Sequence, residues 1–140
     1  MRGDAKAKLL SGVPMFSLLS KRELTRLGSL LTEIDVPAKE VLCRQGEPGR
    51  ECFVIGEGSA KATIGRRTIA TLGPGSVFGE MSLLDGGPRT ATVTAQTPMR
   101  LYVLDPASFQ TMLNRFPSVT RKILRVMAER LRAAEKAPTH

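Results

Sequence analysis

Residues 52–75 read CFVIGEGSAKATIGRRTIATLGPG. Three short runs, 52–55, 59–64 and 67–72, are cut at Gly56-Glu57-Gly58, at Gly65 and at Gly73-Pro74-Gly75. Runs this short, rich in Val, Ile, Thr and Phe and bounded by glycine and proline, read as strands joined by tight turns. The same rhythm continues in both directions. Pro37, Gly46-Glu47-Pro48-Gly49, Gly86-Gly87-Pro88 and Pro98 mark off further candidate strands at 31–36, 41–43, 90–96 and 99–104. The segment from about Ile34 to Leu104 therefore predicts an antiparallel β-roll or jelly roll of about eight short strands.

On both sides the period changes to that of a helix. Leu9, Leu10, Val13, Met15, Phe16, Leu18 and Leu19 form an apolar stretch with a turn at Gly12-Val13-Pro14. Ser20-Lys21-Arg22-Glu23 is a capping box, and Leu24, Leu27, Leu30 and Leu31 follow at helical spacing, which predicts a helix over roughly 20–32. After the strands, Asp105-Pro106 reads as an N-cap followed by proline at the first helical position. Phe109, Met112, Leu113 and Phe116 continue that helix. Pro117-Ser118 starts a longer one carrying Val119, Ile123, Val126, Met127, Arg130 and Leu131, which runs out near Ala134. The fold class is α+β. One domain is expected over 1–140: helices at about 4–32, the β-roll at about 33–104, two C-terminal helices at about 106–134, and a tail at 135–140.

Composition narrows the function. The chain has 140 residues, about one domain with a real core. At 41% apolar and 24% charged it is ordinary for a folded protein. No apolar run approaches a membrane span; the longest clear one is Cys52-Phe53-Val54-Ile55. Met1 to Lys8 carries charges of both signs and no apolar run, so no signal peptide is read there and a cytoplasmic location is expected. The single histidine, His140, excludes His-rich metal sites and His-based triads. Cys43 and Cys52 cannot complete a zinc site and read as packed free thiols. No metal site, no cofactor and no catalytic residue are expected.

The formal net charge is +8, and its location matters. Residues 1–33 contribute +3, residues 34–115 only +1, and residues 116–140 +4. The excess lies along helical patterns without interleaved aromatics, so it reads as a solvated face rather than a nucleic-acid surface.

The chemistry concentrates in residues 77–93, VFGEMSLLDGGPRTATV. Gly79 lets backbone or ligand approach closely. Glu80-Met81-Ser82-Leu83-Leu84 fits one short helical turn, whose free N–H groups near Gly79–Ser82 suit an anion. Gly86-Gly87-Pro88 turns the chain back, and Arg89 emerges beside that turn with a fork that matches two phosphate oxygens. Thr90 and Ala91 add a hydroxyl and further N–H groups. Glu80 would repel a bare phosphate, yet an ionised carboxylate accepts hydrogen bonds from a sugar hydroxyl. A ligand with one phosphate and one ribose hydroxyl fits this mixture. The side chains of Phe78, Met81, Leu83 and Leu84 are expected to pack, and Arg66-Arg67 to form an exposed hairpin tip.

Phe78-Gly79-Glu80-Met81-Ser82-Leu83-Leu84 and then Pro88-Arg89-Thr90-Ala91-Thr92 closely resemble the phosphate-binding cassette of cyclic nucleotide-binding domains. The Gly46-Glu47-Pro48-Gly49 turn, the Gly56-Glu57-Gly58 hairpin and the flanking helices extend the resemblance over roughly 12–133. It implies a sensor of cAMP or cGMP. Arg89 would pair with the exocyclic phosphate oxygens, and Glu80 would accept the ribose 2′-hydroxyl. The N–H groups of Gly79, Met81, Ser82, Thr90 and Ala91 would complete the cradle. A threonine at Thr90 is also compatible with a contact to syn guanine, so both nucleotides stay open. The resemblance further implies a lid helix, here about 118–134, that moves on binding and caps the base. That helix has no aromatic, which leaves Leu124, Met127, Arg130 or Leu131 to serve.

The expected partners are the cyclic nucleotide and an effector protein, with the chain a monomer or weak homodimer. No second helical domain of the DNA-binding kind is read in the sequence, so no direct DNA binding is expected. The alternative is a protein-interaction module of the same fold that binds no nucleotide. A cupin-like metal enzyme is disfavoured by the lack of internal histidine.

Overall fold

The structure, a computed structural model, describes residues 2–136, with side chains from residue 5 onward. The end of the expected tail, including His140, lies outside the described residues. The chain divides into two compact units: a β-roll, Leu30–Phe109, and a helical unit built from the segments on either side of it.

The β-roll holds eight strands: β1 (Thr32–Val36), β2 (Val41–Cys43), β3 (Cys52–Glu57), β4 (Ala60–Ile64), β5 (Arg67–Leu72), β6 (Val77–Phe78), β7 (Thr92–Ala95) and β8 (Met99–Leu104). They form two four-stranded sheets, in the orders β1-β8-β3-β6 and β2-β7-β4-β5. Every pairing is antiparallel. Alternating side chains turn inward: Val93 and Ala95 from β7, Ala60 and Ala62 from β4, Met99 and Leu101 from β8. With Ile55 and Phe78 they form the core of the roll. Burying a side chain of Leu or Ile size contributes about 1.5–3 kcal/mol, so this layer outweighs any single turn.

Three secondary-structure expectations between residues 20 and 96 differ from the structure. The helix expected through residue 32 ends at Gly28, because Thr32, Ile34 and Val36 pair with Val103, Leu101 and Met99 of β8. The β-branched segment gains more from the sheet than from another helical turn. The strand expected from residue 90 begins at Thr92, since Arg89 and its neighbours are held in a loop. The two-residue β6 falls outside the candidate strands; its pairs Phe53–Phe78 and Val54–Val77 are specified by tertiary contact alone.

The roll also contains α3 (Glu80–Asp85) and gives way to α4 (Pro106–Arg115). Asp105 caps α4 as its sequence suggests, accepting from the Ser108 N–H at 2.7 Å and the Ser108 hydroxyl at 2.9 Å. Those two bonds lower its pKa.

The helical unit contains α1 (Arg2–Ser11), a 3-10 turn at Pro14–Phe16, α2 (Lys21–Gly28) and α5 (Pro117–Lys136). The last helix runs two residues past Ala134. Leu10, Val13, Met15, Phe16 and Leu27 are buried here with Val119, Ile123 and Val126 of α5. The capping box is formed: the Glu23 N–H donates to Ser20 Oγ at 3.1 Å, and the Ser20 N–H donates to Glu23 Oε1 at 2.8 Å. Glu23 also ties α2 to α5, accepting from Ser118 Oγ at 2.7 Å and Lys122 Nζ at 2.6 Å. Burial pushes the Glu23 carboxyl upward. Lys122, the Ser20 N–H and the Ser118 hydroxyl together outweigh burial and hold it at about 2. Among the described residues, no helix is long and apolar enough to cross a membrane.

Candidate functional site

A cleft of about 550 Å³ opens in the β-roll. Gly79, Glu80, Met81, Ser82, Arg89, Thr90 and Ala91, the seven cradle residues expected from the sequence, all line it. Cys43, Ala62, Ile69, Ala70, Leu72, Val77, Phe78 and Val93 supply an apolar wall. Met127, Arg130 and Leu131, the expected base-capping candidates, belong to the helical unit on α5, where Arg130 and Leu131 are exposed.

The cleft's polar end follows from two glycines with positive φ. Gly79, at φ 84°, carries the chain from β6 into α3. Gly86, at φ 66°, ends α3, with its N–H on Ser82 O at 2.7 Å. A short helix leaves its first-turn N–H groups without intrahelical acceptors. Ser82 is buried and its hydroxyl donates to Gly87 O at 3.2 Å, so the side chain braces the loop. Leu83 packs as expected. Met81 and Leu84 do not: they are 52% and 40% exposed. Three residues apart on a helix of under two turns, they share its outer face.

Arg89 is fixed at both ends. Its backbone is laced to the 44–51 loop: its N–H donates to Glu47 O at 3.0 Å, and its carbonyl accepts from the Gly46 N–H at 2.8 Å. Pro48 and Pro88 bridge beside it. The guanidinium side chain is only 6% exposed. Nη1 donates to the main-chain oxygen of Glu51 at 3.0 Å, and Nη2 lies 3.7 Å from the Glu51 carboxylate. The charge also sits 5.8 Å from the centre of the Phe53 ring, which stacks on Phe78.

Glu80 completes the polar end. Among the described residues its Oε2 is buried with no hydrogen-bond partner. A buried carboxylate oxygen is costly until a donor reaches it. The cleft thus joins a buried cation with a fixed fork to a buried acceptor. That pairing suits a ligand with one anionic group and one hydroxyl.

The cysteines behave as packed thiols. Burial pushes Cys52 up to about 12, and burial also raises the half-buried Cys43.

Sequence reasoning missed three contributors: Gly49, Glu51 and Phe53 all meet the Arg89 side chain. In the sequence Gly49 reads only as part of the Gly46-Glu47-Pro48-Gly49 turn. A Cβ there would stand 2.5 Å from Arg89 Cζ, so the glycine makes room for the guanidinium. A Cβ on Gly79 would stand 2.6 Å from Glu51 O and closer still to Arg89 Nη1. The pairing of the 44–51 loop with the residue before Thr90 is long-range, so no local motif announced it.

The family model described as the cyclic nucleotide-binding domain matches residues 33–116. The chain belongs to the cyclic nucleotide-binding domain family. It is 38% identical over 138 residues to a cyclic nucleotide-gated potassium channel of Mesorhizobium japonicum, covering 97% of this chain and 38% of the channel. It is 31% identical over 130 residues to the CRP-like cAMP-activated global transcriptional regulator of Mycobacterium tuberculosis, covering 89% of this chain and 58% of the regulator. A solved N-terminal domain of a transcriptional regulator from Streptomyces coelicolor A3(2) matches with a TM-score of 0.86 and 33% identity, covering 94% of this chain and 98% of that one. The chain therefore spans 38% and 58% of the length of these two relatives, less than two thirds of either. The cyclic nucleotide-binding domain of this chain has the jelly-roll fold and the helical flanks expected from its sequence.

Proposed function

We propose that this cyclic nucleotide-binding domain is a non-catalytic sensor of cAMP or cGMP. The observation that carries the proposal is the buried Arg89 fork and the unpartnered, buried Glu80 oxygen on one cleft. Arg89 pairs with the exocyclic oxygens of the cyclic phosphate. The N–H groups of Gly79, Met81, Ser82, Thr90 and Ala91 complete the cradle, and Glu80 accepts the ribose 2′-hydroxyl. The apolar wall receives the base, and Thr90, which lines the cleft, is compatible with either purine. The name of the M. tuberculosis relative, cAMP-activated, favours this ligand class. Movement of the 118–134 helix, capping of the base by Met127, Arg130 or Leu131, and signalling to an effector rest on the family resemblance alone.

Calorimetric titration with cAMP and cGMP tests the reading. The protein is first unfolded, dialysed and refolded so that co-purified nucleotide is removed. Saturable one-to-one binding is expected, and the affinity ratio names the message. Refolded protein that binds neither nucleotide overturns the reading.

A further inference from the structure

Resting on the reading of Arg89 as the phosphate partner, we propose that Glu51 sets the affinity of the cleft as a built-in competitor for the Arg89 guanidinium. Two different atoms of Glu51 meet this arginine. The main-chain oxygen takes Nη1 at 3.0 Å, and that bond persists whatever side chain stands at the position. The carboxylate is 3.7 Å from Nη2, beyond hydrogen-bond length but well within reach of the charge. It is loosely held. Its side chain is 49% exposed, and it also accepts from the Arg50 N–H at a long 3.4 Å. The guanidinium, in contrast, is buried, so water screens its field weakly. A phosphate drawn to the same fork meets a second anion already beside it, and the two repel. The main-chain bond positions the arginine, while the carboxylate weakens what the arginine can hold and speeds its release.

The test is Glu51→Gln, which keeps the size of the side chain and the main-chain bond. Binding of cAMP and cGMP is measured by calorimetry at low and high NaCl, beside wild type and Arg89→Ala. Glu40→Gln, on the exposed turn before β2, makes the same change in net charge away from the guanidinium. Glu51→Gln is expected to tighten binding about three- to tenfold at low salt, with a smaller gain at high salt. Glu40→Gln is expected to change affinity by less than about twofold. Equal or weaker binding by Glu51→Gln, or equal tightening by Glu40→Gln, overturns the proposal. If Arg89→Ala loses binding while Glu51→Gln gains none, the phosphate reading stands and the Glu51 proposal falls. If Arg89→Ala binds like wild type, or wild type binds neither nucleotide, both fall.

Discussion

Gly49 and Arg89 occupy complementary space: a Cβ on the glycine would stand 2.5 Å from the central carbon of the guanidinium. The two residues are 40 positions apart, and the loop pairing through Gly46, Glu47, Pro48 and Pro88 brings them together. Gly49→Ala therefore moves the guanidinium from its seat between the two loops. The expected loss of cyclic nucleotide affinity is at least about tenfold, with thermal stability lowered by about 1–3 kcal/mol of overpacking. Titration and a thermal melt on the same sample check both. Full affinity in Gly49→Ala would show that the guanidinium's position is not critical.

Glu80 is expected to be read through the sugar. A hydrogen bond to a charged group contributes about 1.5–3 kcal/mol, so wild type should prefer cAMP over its 2′-deoxy analogue by at least about tenfold. In Glu80→Gln that preference should shrink, because a neutral amide accepts less strongly. A double-mutant cycle, protein against ligand, isolates the contact. An unchanged preference in the variant would move the 2′-hydroxyl elsewhere.

The helical unit carries a separate prediction in pH. Glu23 titrates near 2 in the folded chain against an ordinary 4.5. A carboxyl depressed on folding stabilises the fold fully above its unfolded pKa, and loses that contribution as pH falls through its folded one. The contribution is at most about 3 kcal/mol, less after screening at the partly exposed Lys122. Melting curves between pH 6 and about 2 should therefore fall more steeply for wild type than for Glu23→Gln. Parallel curves would mean that the bonds to Ser118 and Lys122 add nothing.

The roll was largely legible in the sequence because glycine and proline cut it into runs too short for helices, each with a β-branched filling. Capping signals marked Ser20-Glu23 and Asp105-Pro106 for the same reason: their chemistry is local. Where the reading failed, the deciding partner was distant. Leu30 and Leu31 continue a helical pattern, yet Thr32 pairs with Val103. Val77-Phe78 is too short to declare itself, and β3 makes it a strand. The candidate site divides the same way. The cassette residues fall in two short runs close together in the sequence, 79–82 and 89–91, and all of them line the cleft. Gly49, Glu51 and Phe53 shape Arg89 from another loop and strand, which a reading along the chain cannot see.

The most direct measurement is a parallel calorimetric titration of refolded wild type and Arg89→Ala with cAMP and cGMP, with circular dichroism confirming that both are folded. Truncating one partner of a buried charge pair costs about 2–5 kcal/mol. That is about thirtyfold to several thousandfold in affinity. The account predicts a loss in that range for whichever nucleotide wild type binds. Equal affinity in the two proteins would contradict it.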